Sequence, residues 1–153
     1  MISDKIKVFK IENGTVIDHI VSPMALKIID ILGIKKEGEI SIGINFDSKK
    51  IGKKDIIKFE NIYLDKNETD LIALFSPHAS INIIKEGKVI EKRKIEMPSE
   101  IISILRCPNP TCVTNNYKDC DTKFILERYD ENSTTVRCSY CEKETQVTWE
   151  LIK

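Results

Sequence analysis

The 153-residue chain is predicted to have an α+β fold, an antiparallel sheet with two helices followed by a smaller all-β domain. Segments with strand-like alternation and helical periodicity occur in the order β, α, β, β, α, β, with one extra hairpin strand. After Met97 and Pro98 the composition changes to cysteine, asparagine, threonine and aromatic residues. We therefore predict two domains, residues 1–97 and residues 98–153.

The first predicted hairpin is N-terminal. Residues 5–11 alternate between apolar and polar side chains, and residues 15–21 do so again. Between them lies Asn13-Gly14, the dipeptide most typical of a tight hairpin turn. The chain is therefore predicted to open with β structure.

Both predicted helices have recognisable ends. In the first, Ser22 would be the cap and Pro23 would occupy the first helical position, where no backbone N–H is needed. Gly33 would end this helix. In the second, Asp65 has a glutamate three residues later, as in a capping box, and a proline ends the apolar pattern.

Two further hairpins would complete the N-terminal sheet. Residues 39–46 and 55–60 would pair across a polar turn, and residues 80–84 and 88–95 across Glu86-Gly87. An antiparallel sheet with both helices on one face is the arrangement of ferredoxin-like α+β domains. Its other face would then be available for a ligand.

All five cysteines lie beyond residue 106, and four of them form two closely spaced pairs. The pairs are Cys107 with Cys112 and Cys138 with Cys141, a spacing typical of zinc knuckles. Four thiolates leave no open position on a tetrahedral ion, so a structural zinc ion in a zinc-ribbon-like domain is predicted. Bound iron, free thiols or two disulfides are the alternatives, and disulfides fit poorly without signs of an oxidising compartment. Cys120 is interpreted as a spare thiol.

The rest of this region is predicted to form short strands at residues 122–129, 134–137 and 145–152. Its small core would contain three aromatic side chains, Phe124, Tyr129 and Trp149.

Charge and composition argue against several classes of protein. The 24 basic residues balance the 24 acidic ones, so the chain has no net positive charge that would attract nucleic acid or an anionic membrane. No apolar run reaches the roughly 18 residues of a membrane span, and the N-terminus lacks the apolar core of a signal peptide. A cytoplasmic protein is expected.

The alternative functions for the cysteine-containing region are a nucleic-acid-binding zinc ribbon and a scaffold. Residues 101–153 carry seven basic and eight acidic side chains. A zinc tetrathiolate would add a charge of about −2, which argues against a phosphate-binding surface.

Five polar residues in the N-terminal region could form a nucleotide site. Asp18 and His19 end one strand, and Lys54, Lys58 and Lys92 lie on or beside strands that could be its neighbours. A carboxylate can accept a hydrogen bond from a ribose hydroxyl, and lysines can bind phosphate oxygens. The alternative is a solvated lysine-rich face with an ordinary surface histidine. Since the chain has no P-loop, GxGxxG, nucleophile elbow or histidine cluster, an enzyme is not expected.

Taken together, four segments resemble the regulatory chain of aspartate carbamoyltransferase in order and spacing: residues 14–20, 52–61, 107–112 and 138–143. The resemblance implies a non-catalytic protein of pyrimidine biosynthesis. It implies an N-terminal domain that forms homodimers and binds the effectors CTP and ATP, with UTP as a further candidate. It also implies a zinc domain that docks on the catalytic chain, with catalytic trimers bridged by regulatory dimers.

The family's nucleotide contacts can be carried over by position. Ribose and base contacts would come from Asp18, Lys58 and the backbone near Lys10 and Ile11. The phosphate side would be formed by His19, Lys54 and Lys92. The pocket would be lined by Val8, Val16, Ile56, Ser80, Asn82, Ile84 and Val89. Gly87 stands where family members can carry an aromatic residue.

Overall fold

The structure is a computed structural model that describes residues 10–33, 38–130 and 132–153. Its N-terminal half is one antiparallel five-stranded sheet with strand order β2-β3-β1-β4-β5. No helix in the described residues is long and apolar enough to cross a membrane. The elements of this half are β1 (Gly14–Val21), α1 (Ala25–Leu32), β2 (Ile40–Ser48), β3 (Gly52–Glu60), α2 (Lys66–Phe75), β4 (Ser80–Lys85) and β5 (Lys88–Lys94).

Both helices pack on the same face of this sheet. Ile17 in the central strand is the ladder partner of Ile57 on one side and of Ile81 on the other, and all three are fully buried. Buried residues of α1 and α2 join them in a single core. Because strand side chains alternate between faces, the neighbours of these isoleucines point to the opposite side. The predicted ferredoxin-like arrangement with one open face is confirmed.

Two of the predicted hairpins are confirmed. Strands β2 and β3 pair with each other, as do β4 and β5. Glu86 and Gly87 both have positive φ, 51° and 75°, as a two-residue hairpin turn of this hand requires. Of the strand predicted at residues 5–11, residues 5–9 lie outside the described residues, and Lys10 and Ile11 are not in a strand.

The two helix starts differ from each other. At α2 the capping box is present as predicted: Asp65 Oδ1 accepts from the Glu68 backbone N–H at 2.8 Å, and Glu68 Oε1 accepts from that of Asp65 at 3.1 Å. At α1 the prediction is wrong. Ser22 and Pro23 lie before the helix, which begins at Ala25 without a cap from a neighbouring side chain.

A carboxylate that is distant in sequence caps the start of α1. Asp55 of β3 is fully buried, and its two oxygens accept from the backbone N–H groups of Ala25 at 2.8 Å and Asn45 at 2.9 Å. It therefore ties the helix to the sheet. Local sequence cannot reveal this cap, because the acceptor lies 30 residues from the donor.

The C-terminal half is a second antiparallel sheet with strand order β6-β7-β8-β9. Strand β6 was not predicted, and the strand predicted at residues 145–152 is wrong beyond Gln146, where the chain turns into a short 3₁₀ helix, Trp149–Leu151. The other elements are β6 (Glu100–Ile102), α3 (Val113–Asn116), β7 (Lys123–Tyr129), β8 (Thr134–Cys138) and β9 (Glu144–Gln146).

Only one of the three aromatic residues predicted for the C-terminal core is buried there. Phe124 is fully buried, whereas Tyr129 is 48% and Trp149 43% exposed. Tyr129 is the last residue of β7, and Trp149 reaches across to the N-terminal half. Its ring centroid lies 6.1 Å from that of Phe75, and the Lys27 ammonium is 4.3 Å from the Trp149 ring centroid.

The two halves share helix α2. Ile72 and Ala73 belong to the core against the first sheet, whereas Leu71 and Leu74 pack in the second core with residues such as Phe124. The buried Thr134 hydroxyl also donates to the Leu74 carbonyl at 3.0 Å. The helix therefore connects the two sheets directly.

The substitution Asp55→Ala tests the long-range cap. Two buried N–H groups would lose a charged acceptor, so the free energy of unfolding should fall by about 2–4 kcal/mol. Urea unfolding followed by circular dichroism measures this. Asp47→Ala is the control, because its side chain is 87% exposed and the loss should stay within about 0.5 kcal/mol. Equal losses in the two variants would contradict the role of Asp55.

Candidate functional site

Four cysteine sulfur atoms meet at one point of the C-terminal half. The Sγ atoms of Cys107, Cys112, Cys138 and Cys141 all lie within 4.8 Å of one another. Two of the separations are 3.6 Å (Cys107 to Cys141) and 3.8 Å (Cys112 to Cys138). A tetrahedral zinc ion with bonds of about 2.3 Å holds its sulfur atoms roughly 3.8 Å apart. The cluster therefore fits such an ion, and Cys120 is not part of it.

The first cysteine pair is fixed by neighbouring asparagines. The Asn115 side-chain amide donates to the carbonyl of Cys107 at 2.9 Å and to that of Asn109 at 2.7 Å. The Asn116 amide donates to the Cys112 carbonyl at 2.9 Å. These bonds hold the loop before α3 in the shape that brings its two thiols together.

The second pair is held by the end of β8. Cys138 is the last residue of this strand, its N–H donates to the Lys143 carbonyl at 3.0 Å, and its carbonyl accepts from the Glu142 N–H at 2.9 Å. Glu142 has a positive φ of 65°. The turn thereby returns the chain so that Cys141 faces Cys138.

The thiols differ in acidity. Burial raises the pKa of Cys107 to about 12 and also raises that of Cys138. Burial acts on Cys141 in the same direction, but the Lys143 backbone N–H and the Asn109 side chain stabilise its thiolate and bring its pKa to about 7. A divalent cation would supply the charge that stabilises several thiolates together.

The five polar residues predicted for a nucleotide site come together on the open face of the first sheet. Val16 of β1 is the ladder partner of Lys58 on β3 and of Asn82 on β4, and Asn82 is paired with Lys92 on β5. This row lies one residue from the buried isoleucine row, so it points away from the helices. Asp18 lies two residues after Val16 in β1, on the same face of the sheet, and is paired with Ser80 on β4.

A bulge at the end of β1 brings Asp18 and His19 together. The β1–β3 register shifts between Ile17 and Ile20, and His19 has a positive φ of 58°. Bulges re-aim side chains in this way. His19 Nδ1 consequently lies 3.0 Å from the Ser80 hydroxyl, and the Asp18 carboxylate accepts from the His19 N–H at 2.6 Å.

The charges on this face are close enough to affect one another. Lys54 Nζ is 2.9 Å from Asp18 Oδ1, and each side chain is about one fifth exposed, 20% and 19%. Burial lowers the pKa of Lys58, with Asp18 opposing the shift and Lys10 adding to it. Burial also lowers the pKa of His19, and the charges of Lys54, Lys50 and Lys92 add to this effect against the opposing charge of Asp18.

Asn82 has an unsatisfied buried acceptor. Its side-chain Oδ1 is inaccessible and has no hydrogen-bond partner among the described residues. Buried polar atoms are rarely left without a partner, and this one lies in the middle of the open face.

The remaining predicted residues surround this row. Ile84 is buried and is the ladder partner of Val89, which is exposed, and Ile56 is half-buried on β3. Lys10 and Ile11 precede a loop fastened beside the β4–β5 turn, where the Gly87 N–H donates to the Glu12 carbonyl at 2.8 Å. Val8 lies outside the described residues.

Gly87 has no side chain, and the carboxylate of Glu12 lies close to the space that a side chain would occupy there. A Cβ atom built on Gly87 would lie 3.6 Å from Glu12 Oε2. This chain therefore has an acidic group close to the turn.

One charged residue near His19 was missed at the sequence level. Lys50, in the turn between β2 and β3, lowers the pKa of His19 although it lies far from it in sequence. The only sequence signal for its proximity to His19 is the predicted pairing of β2 with β3. This pairing places the turn that contains Lys50 at the same end of the sheet as the end of β1.

Comparison with known proteins covers both halves of the chain. The family model described as the aspartate carbamoyltransferase regulatory chain, allosteric domain, matches residues 6–96, and that described as its metal binding domain matches residues 99–148. The aspartate carbamoyltransferase regulatory chain of Methanocaldococcus jannaschii is 49% identical over 140 residues, 92% of each chain. That of Methanococcus maripaludis is 48% identical over 139 residues, 91% of this chain and 92% of the relative.

A more distant relative, the regulatory chain of Saccharolobus solfataricus, is 45% identical over 141 residues, 91% of this chain and 87% of its own length. The matches therefore span both halves, including the cysteine cluster and the open face. The chain belongs to the family of aspartate carbamoyltransferase regulatory chains and is a non-catalytic subunit with an allosteric domain and a metal-binding domain.

Proposed function

We propose that the open face of the first sheet binds the nucleotide effectors CTP and ATP, with UTP as a third candidate, and that the bound nucleotide regulates the catalytic chain. The observation that carries this proposal is the arrangement around Asn82. An unsatisfied buried acceptor lies between Lys58 and Lys92, with Asp18 and His19 one pleat away. This pattern suits a ligand with a polar base, a sugar and a polyanionic tail.

Each group has a role that follows from its chemistry. Asp18 would accept from a ribose hydroxyl, and Lys58 would lie beside the sugar or base. The Asn82 amide and the backbone near Lys10 and Ile11 would bind polar atoms of the base. The base would pack among the apolar side chains of Val8, Val16, Ile56, Ile84 and Val89, and Ser80 would line the pocket next to His19.

The phosphate side would be formed by His19, Lys54 and Lys92. Burial and the charges of the surrounding lysines lower the pKa of His19 against the opposing charge of Asp18, and a polyphosphate beside it would favour the imidazolium. Lys54 is paired with Asp18 in the structure, so its ammonium would be shared between the carboxylate and the phosphate. The two lysines contribute charge to every effector with the same tail.

The four-cysteine cluster would hold one structural zinc ion. Thiolates favour zinc over hard cations, and the sulfur separations suit a tetrahedral ion. Because Cys107, Cys112, Cys138 and Cys141 would fill all four positions, the ion would hold the fold and would not activate water. We take residues 1–97 as the allosteric domain and 98–153 as the zinc domain.

The assembly would follow the pattern implied by the resemblance. The N-terminal domains form a homodimer, the zinc domain docks on the catalytic chain, and regulatory dimers bridge catalytic trimers in the cytoplasm, where thiols stay reduced. We propose no nucleic-acid partner, because the zinc domain carries slightly more acidic than basic side chains.

Loss of one cysteine ligand tests the zinc centre. The wild-type chain should retain about one zinc per chain after dialysis, and Cys107→Ser should lose it and no longer bind the catalytic chain. Structural zinc contributes roughly 10–16 kcal/mol in small modules, more than this small core can replace. Metal analysis and the fluorescence of Trp149, the single tryptophan, report the loss.

Cys120→Ser is the matched control, because Cys120 is outside the cluster. It should keep both the metal and the binding to the catalytic chain. A folded Cys107→Ser chain that docks without zinc would show that the metal centre has no such role.

Lys92→Ala tests the nucleotide site. CTP and ATP should both bind more weakly by roughly tenfold or more, since each loses a charge-assisted bond to the shared triphosphate. Isothermal titration calorimetry with both nucleotides measures this. Lys88→Ala is the control on the same strand, because Lys88 is paired with Lys85 and points to the other face. Unchanged affinities in Lys92→Ala would remove this residue from the site.

A further inference from the structure

A cavity of about 380 Å³ lies between the two halves of the molecule. In the first half, its lining comes from the β1–α1 loop and the end of α2; in the second, from the β7–β8 turn and the end of β9 with the residues after it. We call it the inter-half cavity. Its volume is within the roughly 300–1,000 Å³ of small-molecule sites, which often lie at boundaries of this kind.

Part of the lining is apolar and aromatic. Phe75 comes from the first half and Trp149 from the second, and their ring centroids lie 6.1 Å apart. Pro23, Met24 and Val147 extend this apolar surface. Phe75 is half-buried and Trp149 is 43% exposed, so the protein itself leaves part of both rings uncovered. A ligand with an aromatic ring would cover this surface and gain the ring contacts that such side chains favour.

The rest of the lining is polar and carries one charge. Of the described residues that line the cavity, Asp130 alone has an ionisable side chain. Its Oδ1 accepts from the backbone N–H groups of Asn132 at 2.7 Å and Ser133 at 2.9 Å, and these two bonds lower the pKa of Asp130. The second oxygen, Oδ2, has no hydrogen-bond partner among the described residues. An ionised carboxylate with a vacant acceptor is therefore present in the lining.

This charge decides the kind of ligand that fits. The carboxylate of Asp130 would repel an anion, whereas an ammonium group would gain a charge-assisted hydrogen bond. The Lys27 ammonium, 4.3 Å from the Trp149 ring centroid, does not line the cavity. An aromatic ring joined by a short chain to one ammonium group matches both parts of the lining.

A ligand in this cavity would touch both halves at once. The Thr134 hydroxyl donates to the Leu74 carbonyl at 3.0 Å, and both residues belong to the lining. This bond fixes the two walls relative to each other. A ligand that fills the space between them therefore favours the present arrangement of the halves over any arrangement in which the cavity is opened.

We propose that the inter-half cavity is a second ligand site of this chain and binds a small aromatic monoamine, with its ring beside Phe75 and Trp149 and its ammonium group at Asp130. None of the described residues proposed for the nucleotide site lines this cavity. The inference therefore goes beyond the proposed function and does not depend on it. By joining the two halves, the amine acts as a second effector.

The test uses three probes that share a phenyl ring and differ in charge: 2-phenylethylamine, 2-phenylethanol and 3-phenylpropionate. Each is titrated into the full-length, zinc-loaded chain and followed by the fluorescence of Trp149, the single tryptophan. The amine should bind more tightly than the alcohol by about threefold or more, the size expected for an ion pair that solvent partly reaches. The propionate should bind most weakly.

Asp130→Asn separates charge from structure, because the amide oxygen can still accept the two N–H bonds of the turn. In this variant the affinity for the amine should fall to that for the alcohol, while the affinity for the alcohol stays unchanged. Asp119→Asn is the matched control, since Asp119 is an exposed acid of the same half outside the lining, and it should keep the preference for the amine. Val147→Phe fills part of the cavity and should weaken all three probes, with circular dichroism confirming the fold.

The inference is overturned if the amine gives no saturable signal, or if the amine and the alcohol bind the wild-type chain equally well. It is also overturned if Asp130→Asn keeps the same preference for the amine as Asp119→Asn, or if a folded Val147→Phe chain binds all three probes as the wild type does. The nucleotide proposal is tested separately with CTP and ATP, so these results leave it unchanged.

Discussion

Helix α2 packs against both halves of the molecule, and the rest of the structure depends on this double contact. Ile72 and Ala73 fill the core under the first sheet, whereas Leu71 and Leu74 fill the core of the metal-binding half. Burying one leucine side chain contributes roughly 1.5–3 kcal/mol, so either contact is costly to break. A shift of this helix relative to one sheet must therefore be accommodated by the other.

The sheet gives this helix a connection to the proposed effector site. In the central strand, β1, the side chain of Ile17 packs in the core that contains α2, whereas Val16 and Asp18 lie on the open face. A nucleotide that moves the open-face side chains thus acts on the same strand that supports the helix. Regulation also requires that the nucleotide bind two arrangements of the assembly with different affinities. The shared helix offers a physical route for this difference to reach the metal-binding half.

Much of the fold could be predicted from short-range patterns. The capping box at Asp65, the Glu86-Gly87 turn and the paired cysteines all rest on contacts within a few residues, and all three are present. The polar residues of the open face were predicted as neighbours because strand alternation is itself local. Their grouping around Asn82 required the actual register.

The wrong predictions involve contacts that depend on tertiary packing. The start of α1 is capped by Asp55 from another strand, so Ser22 had no such role. Trp149 packs on Phe75 across the boundary between the halves, which periodicity within the C-terminal segment could not indicate. Lys50 was missed for the same reason, because its relation to His19 depends on how the β2–β3 turn lies at the end of the sheet.

The most direct measurement of the central claim is substrate saturation of the reconstituted complex of this chain with its catalytic chain. It would be recorded without nucleotide, with CTP and with ATP, after calorimetry has established that each binds. The account predicts that nucleotides shift the half-saturating substrate concentration, with a coupling of roughly 1–3 kcal/mol, and that Lys92→Ala diminishes the shift at subsaturating nucleotide. Curves that coincide although both nucleotides are bound would contradict it.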